Sequence, residues 1–258
     1  MLLAVDVGNT ETVVGLFDDL GGNDPVDHWR LSTDASRTSD ELALILGQLV
    51  ALRGLRLDVD ITGLAVCSGV PRVTAALRAM AARHLGLAPV VIGPGTRTGV
   101  PIRYENPREV GADRIANAVG ALERFEPTLV IVDFGTATTL DAISPAGEYL
   151  GGAIVPGVEI ALDALYSAAA LLRRIELVEP RRVIGTSTEA AIQSGTLYGT
   201  AAMVDGMVAR MEVELGRSTV VATGGLSPLL APLTRRVQHL EPWLTLHGLR
   251  VVYEKNLP

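Results

Sequence analysis

Lysine occurs once in the 258 residues, as Lys255. A Walker P-loop ends in Gly-Lys-Ser/Thr and a protein kinase needs a strand lysine, so both are excluded. Any bound phosphate must then be held by backbone N–H groups, hydroxyls, arginine or a metal ion. Cysteine also occurs once, as Cys67, which leaves neither an internal disulfide nor a cysteine-cluster metal site. Its place after Leu64-Ala65-Val66 favours a core thiol over a nucleophile. His28, His84, His239 and His247 are scattered without metal-ligand spacing. No apolar run approaches the roughly 20 residues of a membrane span, and Met1 leads into a strand with no charged n-region or cleavage site, so a cytoplasmic protein is expected. There is no Lys/Arg run and the formal net charge is -7, which excludes a general nucleic-acid footprint and points to a small-molecule partner.

What is present supports a large core: 48% hydrophobic residues with 27 glycines and 14 prolines. The organising stretch is Leu129 to Leu140, LVIVDFGTATTL, an apolar strand that ends in Asp133 and passes through Gly135 into hydroxyl residues and a second β-prone run. Leu2 to Val14, LLAVDVGNTETVV, repeats it: Asp6, Gly8 and Thr12 answer to Asp133, Gly135 and Thr139 at a constant offset of 127 residues. That offset is close to half the chain and predicts a duplicated architecture. One such turn is adequately explained by an Asp that caps it. Two in register, each with an acid at the end of an apolar strand, favour a pair of phosphate-cradling hairpin turns with a carboxylate for a cation.

Taken in order, Leu2 to Phe17 and Val26 to Leu31 predict a three-strand meander with a turn at Gly8-Asn9 and a loop over Asp19 to Asp24. Asp40 to Arg53 carries Leu42, Ile45, Leu46 and Leu49 on one face, the pattern of an amphipathic helix, with Gly54 as its stop. A strand over Ile61 to Cys67, a helix over Pro71 to Leu87 and a short strand over Pro89 to Ile92 complete a β-β-β-α-β-α-β half. The Gly-, Pro- and Arg-rich segment from Pro94 to Pro107 is the expected junction, giving domains 1–105 and 106–258. The second half predicts a helix from Asn106-Pro107 to about Phe125, the repeated meander over Leu129 to Val155, a helix over Val158 to Leu172 and a mixed loop from Arg173 to Ile184. A long helix over Thr186 to Leu215 then contains Gly195, Gly199 and Gly206, expected to pack closely on a neighbour, since each glycine costs about 1 kcal/mol against alanine. A strand over Thr219 to Ala222, a turn at Gly224-Gly225 into a helix at Ser227-Pro228, and a last helix over Leu244 to Asn256 finish the chain.

Two β-β-β-α-β-α halves, each with an acidic turn, resemble the actin, sugar-kinase and Hsp70 ATPase superfamily. The resemblance implies an α/β protein of two duplicated ribonuclease-H-like domains, each a mixed sheet with flanking helices, and ATP in a cleft between them. Asp6-Val7-Gly8-Asn9-Thr10, Gly111-Ala112-Asp113-Arg114, Asp133 through Thr139, Gly151 through Gly157 and Thr223-Gly224-Gly225 together resemble the type III pantothenate kinases, over essentially the whole chain. That resemblance implies ATP-dependent phosphorylation of pantothenate to 4'-phosphopantothenate, the first step of coenzyme A synthesis.

By the same resemblance, Asp6, Val7, Gly8, Asn9, Thr10, Glu11, Thr12 and Val13 form the first ATP-phosphate loop, with Asp6 near Mg2+, and Thr136 serves the second. Asp133 ligates the monovalent cation, K+ or NH4+, that the family requires. Tyr104, Gly111, Ala112, Asp113, Arg114 and Thr188 bind pantothenate. Relatives often have Lys-Asn where Thr186-Ser187 precede Thr188 here, so that last register could slip by a residue or two. The residue types suit the chemistry: Asp113 lies outside both loops and can take the hydroxyl proton as general base, and Arg114 can fork to a carboxylate. Two alternatives stay open, another small-molecule kinase of the superfamily and a catalytically silent nucleotide-binding regulator. Val158 to Ala170 and Gly195 to Ala209 hold too few charges for solvent-facing helices, which predicts a homodimer whose partner helps to enclose pantothenate.

Overall fold

The computed structural model describes residues 1–18, 22, 24–169 and 172–257. They form two compact units, one of residues 1–124 and 243–258, the other of residues 125–242. Most of the expected loop over Asp19 to Asp24, and Ala170 and Leu171 at the end of an expected helix, lie outside the described residues.

In the first unit the apolar run Leu2–Val7 (β1) pairs antiparallel with Glu11–Phe17 (β2), which pairs antiparallel with Asp27–Ser32 (β3). Helix α1 (Ser39–Ala51) opens on a capping box in which Thr38 and Glu41 satisfy each other's backbone N–H groups, and it buries Leu42, Leu46 and Val50. After the short helix α2 (Leu57–Asp60), β4 (Gly63–Ser68) runs parallel to β1, the arrangement that requires a crossover and here obtains it from α1 and α2. Helix α3 (Pro71–Met80), continued by a wider π-turn over Ala81–Leu85, leads to the two-residue strand β5 (Val90–Val91) and closes the order β3-β2-β1-β4-β5. One face of this sheet, with Leu3, Val5, Val7, Val14, Leu16, Leu64 and Val66, packs on α1 and α3. The alternate residues, among them Asp6 and Cys67, point to the other face. That side is covered by α4 (Ala112–Arg124) and by a helix from the far end of the chain.

The second unit repeats the wiring. β6 (Leu129–Phe134), β7 (Ala137–Ile143) and β8 (Tyr149–Pro156) form the meander. Helices α5 (Val158–Ala168) and α6 (Thr188–Leu215) cross over to β9 (Thr219–Thr223), parallel to β6. The one-turn helix α7 (Ser227–Leu230) leads to β10 (His239–Leu240), and the order is β8-β7-β6-β9-β10. Val130, Val132, Phe134, Val220 and Ala222 meet α5, α6 and α7 in the core. The last helix, α8 (Leu244–Lys255), returns to the first unit.

The domain boundary therefore differs from the expected cut between 105 and 106. Helix α4 stays with the first sheet because it crosses α8 backbone to backbone: a Cβ on Gly120 would lie 2.6 Å from the Leu244 carbonyl oxygen, and one on Gly248 1.9 Å from that of Ala116. Several element ends also move. The helix expected from residue 106 is a 3-10 turn over Pro107–Glu109, and α4 begins only after Gly111. The predicted helix over residues 71–87 is shorter in its α part, and α5 ends at Ala168. The constant offset between the twin turns holds for β1 and β6 but slips by one residue on the return strands. Val7 faces Thr12 whereas Phe134 faces Thr138, so Thr12 corresponds to Thr138 and not to Thr139. Gly195, Gly199 and Gly206 meet no neighbour among the described residues, since a Cβ on any of them would find nothing within 4 Å.

Gly248→Ala should cost the fold about 2–3 kcal/mol, because its methyl group has no room against the α4 backbone. Urea unfolding at unchanged slope measures the loss; a stability equal to that of the parent protein would show that the helix crossing is not held this tightly.

Candidate active site

Each unit brings an acid and a hairpin turn to the carboxyl end of its first strand. In the first, Asp6 is the penultimate residue of β1 and the turn runs through exposed Asn9, Thr10 and Glu11, closed by Gly8 N–H donating to the Glu11 carbonyl at 3.0 Å. Glu11 forms an ion pair with Arg30 of β3. Val7 is fully buried and Thr12 nearly so, and the Thr12 hydroxyl lies 2.8 Å from that of Thr33. These two side chains thus brace the turn from within, and its backbone and the exposed residues are what it offers to a ligand.

Beside Asp6 on the parallel strand stands Cys67, its thiol donating to Asp6 Oδ1 at 3.1 Å. Burial first, then the charges of Asp6 and Asp113, push the Cys67 thiol well above the ordinary thiol range. The two carboxylates that sequence analysis assigns to cation and base thus both lie near this one sulfur. Asp113 is exposed in the first turn of α4, where the helix N-terminus favours an anion. Its side chain folds back over Gly111, where a Cβ would sit 2.4 Å from Asp113 Oδ1, so a larger residue there would push the carboxylate aside. Arg114, the next residue, turns inward and is 6% exposed, so a ligand carboxylate would have to reach a buried guanidinium. Tyr104 is half-buried in the loop ahead of α4. That loop is tied to the end of α8 by Asn256, whose side chain accepts from Arg97 N–H at 3.1 Å and donates to the Arg97 carbonyl at 2.8 Å.

In the second unit, half-buried Asp133 is the penultimate residue of β6, as Asp6 is of β1, and Thr223 of β9 stands beside it as Cys67 does beside Asp6. The turn is one residue shorter, Gly135 N–H donating to the Ala137 carbonyl at 3.2 Å, with Thr136 exposed at its tip. Gly224, at φ +94°, presses on the acid: a Cβ there would lie 2.4 Å from Asp133 Oδ1 and 2.6 Å from Phe134 N. Thr188 is the first residue of α6, exposed, while Ser187 caps the helix through Ala190 N–H at 3.2 Å.

Among the described residues no cluster of three or more His, Cys, Asp or Glu could hold a metal by protein ligands alone. One carboxylate beside a phosphate-sized turn fits a hard cation such as Mg2+, which keeps waters and takes its other ligands from phosphates. Sequence reasoning overlooked Thr33, because the constant-offset alignment of the repeats leaves the end of the third strand unmatched. Aligning the repeats strand by strand pairs Thr33 with Gly157.

A family model described as type III pantothenate kinase matches residues 2–210. A type III pantothenate kinase of Streptomyces griseus is 53% identical over 265 aligned positions, covering 100% of this chain and 99% of that protein. One of Moorella thermoacetica is 52% identical over 257, covering 99% and 100%. Among solved structures, an inorganic polyphosphate/ATP-glucomannokinase from an Arthrobacter species aligns with a TM-score of 0.53 at 14% identity, covering 99% of each chain, a likeness of fold alone.

The raised Cys67 thiol binds its proton more tightly in the folded than in the unfolded chain. Its contribution is complete below the unfolded thiol pKa of about 8.5 and declines as pH rises from there toward the folded value. Relative to Cys67→Ala, the parent protein should lose stability above about pH 8.5, and Ellman's reagent should titrate the thiol only after unfolding. Rapid reaction of the native protein would contradict this burial.

Proposed function

Because the chain belongs to the type III pantothenate kinase family, we propose that it moves the γ-phosphoryl group of ATP to the primary hydroxyl of pantothenate, by way of the residues named above. The observation that carries the residue roles is Asp113, an exposed carboxylate in the first turn of α4 that lies over Gly111. Phosphoryl transfer asks the protein mainly for positioning and charge stabilisation, plus a group to accept the hydroxyl proton. Asp113 accepts that proton. The turn over Gly8 to Glu11 and the turn at Thr136 bind phosphate oxygens through backbone N–H groups and hydroxyls. Asp6 holds Mg2+, which when bound neutralises phosphate charge, and Asp133 holds the monovalent cation, K+ or NH4+. Gly111, Ala112, Arg114, Tyr104 and Thr188 contact pantothenate. The intact Asp113 and its prepared site favour this reading over a silent nucleotide-binding regulator. Among the described residues no helix is long and apolar enough to cross a membrane, which agrees with a cytoplasmic place of work.

The homodimer belongs to the same proposal. Ala191, Gly195, Gly199, Ala202 and Gly206 form an exposed stripe of small residues along α6, where none of the described residues meets the glycines. Ile154, Ile160 and Leu165 of the same unit are 61%, 48% and 41% exposed. A helix face this free of side chains suits close approach of a second helix, and a second copy of the chain is the occupant we assign to it.

A coupled ADP-release assay with pantothenate, run with and without K+, tests the activity and the cation together; absence of pantothenate-dependent ADP would defeat the reading. Asp113→Asn should lower kcat about 100-fold or more with the fold intact, and activity above about a tenth of the parent value would remove Asp113 from the base role. Light scattering at micromolar concentration should show a dimer that Gly199→Arg dissociates, whereas an active monomer would end the shared-site idea.

A further inference from the structure

The residue that follows the third strand does the same work in both units. In the first, β3 ends at Ser32, and Thr33 N–H donates to the Thr10 carbonyl at 2.9 Å. The Thr33 hydroxyl donates to the Gly8 carbonyl at 2.8 Å and, its own proton being committed there, accepts from the Thr12 hydroxyl at 2.8 Å. One threonine therefore holds two of the turn's carbonyls. In the second unit β8 ends at Pro156, and Gly157 N–H donates to the Thr136 carbonyl at 3.1 Å. Here no side chain is tolerated, since a Cβ on Gly157 would lie 2.2 Å from the Thr136 oxygen and 2.5 Å from that of Gly135.

A trans peptide plane carries its C=O and the following N–H on opposite sides. Pinning the Gly8 and Thr10 carbonyls to Thr33 turns the N–H groups of Asn9 and Glu11 away from Thr33, and pinning the Thr136 carbonyl to Gly157 does the same for Ala137. We infer that Thr33 and Gly157 are the positioning residues of the two phosphate turns, each orienting backbone N–H groups toward the nucleotide without touching it. This rests on the reading of those turns as phosphate loops. The two residues reach the same result by different means because the first turn is one residue longer. The longer turn leaves room for a side chain, whose hydroxyl supplies the second bond; the shorter one brings the backbone itself into contact.

The test compares Thr33→Val, which keeps the shape and loses the hydroxyl, with Thr33→Ser, which keeps the hydroxyl. For Thr33→Val, KM for ATP should rise about tenfold while KM for pantothenate stays within about twofold, the loss expected of one hydrogen bond. Thr33→Ser should return KM for ATP to within about twofold of the parent value. A merely structural role would lower thermal stability and leave KM for ATP alone, so an unchanged KM in Thr33→Val, or a Ser variant as poor as the Val variant, would overturn the inference. Should Thr33→Val not accumulate as folded protein, Thr33→Ala takes its place beside Thr33→Ser with the same two readings. Gly8→Ala separates the role of the brace from that of the phosphate loop. If it raises KM for ATP and Thr33→Val does not, the bracing role alone fails. If neither raises it, the phosphate-loop reading fails and takes the inference with it. Gly157→Ala should weaken ADP binding, measured by calorimetry, more than Thr33→Val does, and parent-like ADP affinity would remove Gly157 from the proposal.

Discussion

The parallel pairing of the first strand of each unit with the fourth is the constraint on which the rest depends. It puts β1 and β6 in the middle of their sheets, covered on both faces, so each must be a nearly unbroken apolar run. The one place where such a strand can present a charge is its carboxyl end, where pairing stops and the chain turns. Asp6 and Asp133 both stand there, each with the end of a parallel neighbour at its side, Cys67 in one case and Thr223 in the other. Ligand sites at the carboxyl ends of strands in α/β proteins follow from the same geometry.

Close backbone contact recurs in both units. Where a Cβ would collide, the chain has glycine, and in several places the collision would be with a residue of the proposed site: Gly111 against the Asp113 carboxylate, Gly224 against Asp133, Gly157 against the second turn. The glycines of α6 form a contrasting class, because none of the described residues approaches them. The same residue type thus marks internal contacts of atomic closeness in one set and a bare helix face in the other, and only coordinates separate the two.

Duplication has not kept the units alike in detail. They share strand order, the acid and a brace on the turn, but one turn is shorter by a residue, and the brace changes from a threonine hydroxyl to a bare peptide. The first unit is also completed by a helix from the end of the chain, α8, whose Leu244, Leu246, Leu249, Val251 and Val252 are all buried. Because α8 holds α4, and α4 carries Asp113, the far end of the sequence supports the proposed base.

The apolar runs, the acids at their ends, the repeat, the meanders and nearly all the helices were legible in the sequence, because hydrophobic periodicity and turn chemistry are local properties written over a few residues. The equivalent places of Asp6 and Asp133 near the ends of β1 and β6 were legible too, through motifs that are contiguous in the chain. The boundary at 124, the return of α8, the one-residue slip that matches Thr12 with Thr138, the inward turn of Arg114 and the brace at Thr33 were not. The slip lies within a single turn whose length the apolar pattern does not mark; the boundary, the return of α8 and the brace at Thr33 depend on segments that meet across 20 or more residues, and such a meeting is decided by packing: whether a helix finds a glycine opposite it, and which carbonyl lies within reach of a hydroxyl.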